Sequence, residues 1–145
     1  MRRSRLLSPL SCLLLTAAIG VRAPPFYYVL YTFRAANGLT DVVAAFAVPA
    51  GRLEPERVQG RTRYRFDVSL VLAATALETV IRSDDSVYVE MPSRPDRDHL
   101  LYTHIEVAAA PSSNTFHRVI MTDATVPGIG QLYGDPFRIR DYRGG

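Results

Sequence analysis

Residues 63–72 read Arg-Tyr-Arg-Phe-Asp-Val-Ser-Leu-Val-Leu, with an apolar side chain at every second position through Leu72. Tyr64, Phe66, Val68, Leu70 and Leu72 share one side, while Arg63, Arg65, Asp67 and Ser69 share the other. Successive side chains of a strand point to opposite faces, so this pattern predicts a strand with one buried face and one wet face. A helix would scatter the same apolar residues around its circumference. A central strand of this kind needs a second layer over its apolar side, which narrows the fold to packed antiparallel sheets.

The flanking segments extend the same pattern. Phe26–Phe33 is aromatic and β-branched on both faces, as suits a strand covered on both sides or one that a partner covers. Asn37-Gly38 is a strong turn dipeptide, and Thr40, Val42, Ala44, Phe46 and Val48 then alternate, so 26–35 and 40–48 read as a hairpin. Residues 49–60 carry Pro and Gly punctuation and form a loop suited to crossing between two sheets. Beyond the central strand, 73–77 read as a tight link. The next run, 78–91, is expected to bend at Ser83-Asp84-Asp85-Ser86, where two acids and two hydroxyls favour a turn. Residues 99–107 and 115–123 read as a second hairpin around 109–114. Pro127-Gly128-Ile129-Gly130 and Gly134-Asp135-Pro136 read as turns ahead of a short strand at 137–139. About seven short strands with no helix after residue 25 predict an all-β fold, an antiparallel β-sandwich of the immunoglobulin/fibronectin-III-like kind.

The first 23 residues stand apart. Met1–Arg5 is basic, and Leu6–Val21 is an apolar run, the form of a secretory signal peptide. Residues 1–23 are therefore expected to be a signal helix, removed after Ala18 or Ala23 or kept as an anchor, with 24–145 as a single sandwich domain. The run is short for the hydrocarbon core, which needs about 20 residues, so membrane contact is expected only through this segment where it is uncleaved. Cys12 follows a poor lipobox, Pro9-Leu10-Ser11. With the segment removed the chain has no cysteine, and neither disulfides nor thiol chemistry are available. The expected location is the periplasm or cell surface. The tail Arg143-Gly144-Gly145 is an odd strand end and suggests that the chain belongs to a longer protein.

The formal charge of +3 does not point to nucleic acid. Lys is absent, and four of the 17 arginines lie in the first 23 residues, where there is no acid. The remainder holds 13 arginines against 14 acids, a net charge of −1, which provides no footprint for a phosphate backbone.

Three groups of residues bear on chemistry. His104 and His117 face each other if the second hairpin pairs residues whose numbers sum to 221, and Glu106 then completes a set suited to zinc or copper. His99 is five residues from His104 and falls on the opposite face of a regular strand. Asp84-Asp85 and Asp96-x-Asp98 lack the Gly-punctuated spacing of a calcium loop and read as solvated turn acids. No Gly-x-Ser-x-Gly elbow, triad order or nucleotide loop is present, so neither a catalytic role nor a cofactor is expected. Tyr27, Tyr28 and Tyr31, beside Phe26 and Phe33, offer an aromatic face that can stack a sugar or anchor a protein.

The runs Arg118–Asp123, Pro127–Tyr133 and Pro136–Tyr142, together with Val42–Pro49 and the strand at 64–72, resemble the β-sandwich portion of bacterial GWxTD-domain proteins over roughly residues 26–143. The resemblance implies an exported sandwich. The Gly-Trp-x-Thr-Asp motif is absent, as the chain has no Trp, so no functional residue carries across. Three functional readings follow: an interaction or structural module serving a protein partner or other domains of a longer chain; a carbohydrate- or ligand-binding module using the tyrosines; and a metal-binding protein or metalloenzyme built on His104 and His117.

Overall fold

The computed structural model of the chain describes residues 26–74, 80–126, 129–133 and 136–144. The expected signal helix and residues 75–77 of the expected link lie outside the described residues. Nine strands follow in order: β1 (Tyr27–Arg34), β2 (Thr40–Pro49), β3 (Glu56–Val58), β4 (Arg61–Ala74), β5 (Val80–Met91), β6 (Leu100–Ala109), β7 (Ser112–Asp123), β8 (Ile129–Tyr133) and β9 (Phe137–Ile139).

Two antiparallel sheets pack as a sandwich. Sheet A has the order β1-β2-β6. In sheet B, β5 lines one side of β4; β3 and then β7 line the other, and β8 and β9 follow on the far side of β7. The chain changes sheets after β2, after β5 and after β6, so consecutive strands are repeatedly placed in opposite layers, as in a Greek key.

β4 organises the interior as its alternation requires. Tyr64, Phe66, Val68, Leu70 and Leu72 are each at most 2% exposed. Burying a side chain of this size stabilises the fold by about 1.5–3 kcal/mol relative to leaving it in water. They meet Val42, Ala44, Phe46 and Val48 of β2, Leu101 and Ile105 of β6, and Val119 and Met121 of β7 in one core. The first hairpin closes as predicted: β1 and β2 pair from Tyr27↔Ala47 to Arg34↔Thr40. Asn37 and Gly38 sit at φ +55° and +73° in the turn, where a side chain is otherwise disfavoured.

One buried carboxylate fastens the crossover from sheet A to sheet B. Asp123 Oδ2 accepts the Glu54 N–H at 3.0 Å, while Oδ1 accepts the Thr125 N–H at 2.9 Å and its hydroxyl at 2.6 Å. The loop of 49–60 also contains β3, which pairs with the start of β4.

Three expectations are corrected. The bend at Ser83–Ser86 does not form: β5 pairs with β4 without a register shift from Met91 to Val80. The polar groups that favour a turn find partners across the strands instead. Ser86 Oγ donates to Asp67 at 2.7 Å, and Ser69 Oγ donates to Asp84. The second hairpin also does not form. β6 pairs with β2 in sheet A and β7 with β4 in sheet B, so the two-residue link between them is a corner connecting the layers. Finally, Ile129 and Gly130 belong to a strand, β8, paired with β7, where a turn was expected.

Candidate functional site

The correction to the second hairpin separates the expected metal ligands. His104 lies on β6 opposite Ala45, and Glu106 lies opposite Val43; both are exposed on the outer side of sheet A. His117 lies on β7 opposite Leu72, inside the sandwich and only 8% exposed. No group of three His, Cys, Asp or Glu side chains close enough to hold a metal ion occurs among the described residues.

The tyrosine trio is divided as well. Alternation along β1 sends Tyr27 and Tyr31 outward and Tyr28 inward. The Tyr28 hydroxyl is hydrogen-bonded to His117 Nε2 at 2.9 Å, and their rings meet edge-on at 5.7 Å. The Phe137 ring also meets the imidazole edge-on, at 5.3 Å. One residue from each expected site thus joins β1 to β7 in the interior, where the pair links the two sheets.

What remains on the outside of sheet A is a continuous face. The strand registers set four rows across it: Tyr27–Ala47–Tyr102, Val29–Ala45–His104, Tyr31–Val43–Glu106 and Phe33–Asp41–Ala108. The middle strand supplies mostly small residues, so the flanking rings stand above a shallow trough of about 370 Å³. Tyr27, Val29, Tyr31, Phe33 and Tyr102 are 64, 46, 51, 53 and 70% exposed. The rings of Tyr31 and Phe33 lie 6.4 Å apart. Asp41 and Glu106 are the acids of this face, and none of the four rows contains an arginine. Phe33, which the aromatic reading places beside the tyrosines, and Tyr102, which it does not include, complete the surface. The signal for Tyr102 was its period-2 placement beside His104 and Glu106.

The outer side of sheet B is chemically opposite. Arg63 is hydrogen-bonded to Glu90, Arg65 reaches Glu56 at 2.8 Å, and Arg82 reaches Asp84 at 2.8 Å. Hydrogen bonding from Arg63, aided by its charge, holds the Glu90 carboxyl below its ordinary range. Arg82 and then Ser69 do the same for Asp84. Asp84 therefore belongs to an arginine ladder, and Asp85 points to the other side of the strand. Asp96 serves the turn before β6, its carbonyl accepting the His99 N–H at 3.1 Å.

No family model, curated protein or solved structure matches the chain.

Proposed function

We propose that this chain is an exported β-sandwich that serves as a protein-interaction module of the cell envelope, docking a partner on the outer face of sheet A. The observation that carries the reading is the exposure of Tyr31, Phe33 and Tyr102 around an Ala- and Val-floored trough, with Tyr27 exposed in the same row as Tyr102. At about 200 Å² per aromatic side chain, their exposed fractions amount to about 500 Å² of aromatic surface. This is near the upper end of what a monomer exposes without a use for it. Tyr and Phe are also the residues that anchor protein interfaces. The acids at the rim and the absence of arginine favour a partner with an apolar centre and basic margins.

Export is supported by the basic-then-apolar run of residues 1–23 and by the resemblance to the sandwich of GWxTD-domain proteins. Sugar stacking on the same rings is the competing use, but it loses Tyr28, which faces the interior.

The test places a photocrosslinking amino acid at Tyr102 or at Tyr88, a comparably exposed tyrosine on sheet B, in the full chain expressed in its own cell. A discrete protein adduct from position 102 and none from position 88 is the expected result. Adducts from neither position, or from 88 alone, contradict the assignment. An adduct from 102 that disappears when simple sugars are added reassigns the face to carbohydrate.

A further inference from the structure

We infer that the partner segment taken by the outer face of sheet A is a proline-rich stretch in the polyproline II conformation, with an arginine or lysine at one end. The inference rests on the docking reading above and adds to it the chemistry of the occupant.

The sheet excludes two of the three common ways of holding a peptide by its secondary structure. β2 floors the trough and is paired on both sides, with β1 along one edge and β6 along the other. Its backbone N–H and C=O groups are therefore engaged, and a ligand lying over it cannot add as a strand. A helix fails on width. Two strand spacings set β1 and β6 about 10 Å apart, and a helix with its side chains is about 10–12 Å across. Tyr31 and Phe33 on one flank and Tyr102 and His104 on the other line the trough, so their side chains take up part of that interval.

The third way fits. A polyproline II segment has no internal hydrogen bonds, so its carbonyls need outside donors, and its prolyl rings suit an aromatic-lined groove. Tyr27, Tyr31 and Tyr102 supply both: exposed rings, and hydroxyls that make no hydrogen bond among the described residues. The rings of Tyr31 and Phe33, 6.4 Å apart with planes inclined at 34°, form one flank on which prolyl rings can pack. The rows run from position 27 to position 33 of β1, a span of about 20 Å at the rise of a strand. At about 3.1 Å per residue, roughly six or seven residues of polyproline II cover it.

Charge gives the segment its polarity. Asp41 and Glu106 occupy diagonal positions in adjoining rows at the Phe33 end, close enough to act together on one cation. Neither acid is ion-paired among the described residues, so both can meet a cation from outside. The opposite end of the face, around Tyr27, Ala47 and Tyr102, has no acid, and the one basic side chain in the four rows is His104. An arginine or lysine of the ligand therefore belongs at the Phe33 end, with uncharged prolines along the rest of the trough.

The test titrates the full chain into capped, fluorescently labelled heptaproline peptides and reads anisotropy. One peptide is uncharged, and two others carry a single arginine before or after the prolines. The better arginine peptide is expected to bind with a Kd of about 100 µM. It should exceed the uncharged peptide by about threefold. That gain should vanish in about 0.5 M salt and in Asp41→Asn/Glu106→Gln, which should leave the affinity for the uncharged peptide unchanged. Tyr102→Ala should weaken all three peptides about tenfold, and Tyr88→Ala on sheet B should weaken none. As a readout that needs no variant, wild-type amide resonances of Val43, Ala45 and His104 should shift on binding, while those of Arg63 and Glu90 stay in place. No binding by any heptaproline peptide up to about 2 mM overturns the inference. So does equal binding by a glycine-serine peptide with the same arginine, an arginine that brings no gain at low salt, or a shift pattern centred on sheet B. If no heptaproline peptide binds while position 102 still yields a protein adduct, this inference falls and the docking reading stands. Binding that maps to the trough without an adduct in the cell supports the groove's chemistry and removes its cellular role.

Discussion

β4 and β1 are both alternating strands with aromatic residues, yet they do opposite things with their second face. β4 sits inside sheet B, with Tyr64, Phe66 and Val68 in the core and Arg63, Arg65 and Asp67 in water. β1 sits at the edge of sheet A, with Tyr28 and Leu30 against the core and Tyr27, Val29, Tyr31 and Phe33 facing out. The polar face of β4 is largely paired with its own neighbours, Arg63 with Glu90, Arg65 with Glu56 and Ser69 with Asp84, although among the described residues Arg65 Nε is buried without a hydrogen-bond partner. The apolar face of β1 is covered by nothing among the described residues. Alternation of side chains is therefore enough to build a layer, and the chemistry of the face turned outward separates a structural strand from an interacting one.

The largest test of that contrast removes one phenylalanine from each strand. Phe66→Ala, in the core, is expected to lower the urea unfolding free energy by about 3–5 kcal/mol. Phe33→Ala, on the outer row, should change it by less than about 0.5 kcal/mol. Comparable losses from both would mean that the outer row is packed and not available for docking. Next in size is Asp123→Ala, which strips acceptors from the Glu54 and Thr125 N–H groups and should lose about 2–3 kcal/mol. Amide exchange at Glu54 should accelerate first, because that bond fastens the crossover. Tyr28→Phe keeps the ring and removes the hydrogen bond to His117, for an expected loss of about 1 kcal/mol. No change on that substitution would mean that the inward tyrosine is held by packing alone.

The smallest effect belongs to the ladder on sheet B. Arg63→Ala should lower the urea midpoint only slightly, because both partners are exposed. Its pH dependence gives a sharper reading. Arg63 depresses the folded-state Glu90 carboxyl, so the pair contributes above the ordinary carboxylate value of about 4.3, and that contribution is lost as pH falls through the folded value. The gap between wild type and Arg63→Ala should therefore close between pH 5 and 3, by about the range where carboxylates titrate. A gap that widens with acidification would contradict the pairing.

Much of this layering was legible in the residues. The facings of β2 and β4 and the turn at Asn37-Gly38 follow from period 2 and from the φ preferences of Asn and Gly, which act over a few residues. The partner of β6 was not legible. Ala109-Ala110-Pro111-Ser112 reads the same whether the chain doubles back within a sheet or crosses to the other one. The open edge of β2 in one layer and of β4 in the other decide the matter, and both are remote in sequence. The metal reading rested on that hairpin and is separated with it. The Ser83–Ser86 bend failed for a related reason: Ser69 and Asp67, 15 and 19 positions upstream of Asp84 and Ser86 in the paired strand, offered a carboxylate and a hydroxyl of that segment better partners than a local turn. The outer face of sheet A was half visible, since Tyr27 and Tyr31 were named. The Ala45 and Val43 floor and the Tyr102 wall needed the registers of three strands.

The most direct test of the account is hydroxyl-radical footprinting of Tyr102 and Tyr88, comparing the purified chain with the chain inside the cell that makes it. In purified protein at low concentration both tyrosines should react readily, since they are 70 and 64% exposed on opposite sheets. In the cell, Tyr102 should be protected severalfold while Tyr88 stays reactive. Equal labelling of both tyrosines in the cell, or protection of Tyr88 alone, would contradict the claim that the outer face of sheet A is where this protein meets its partner.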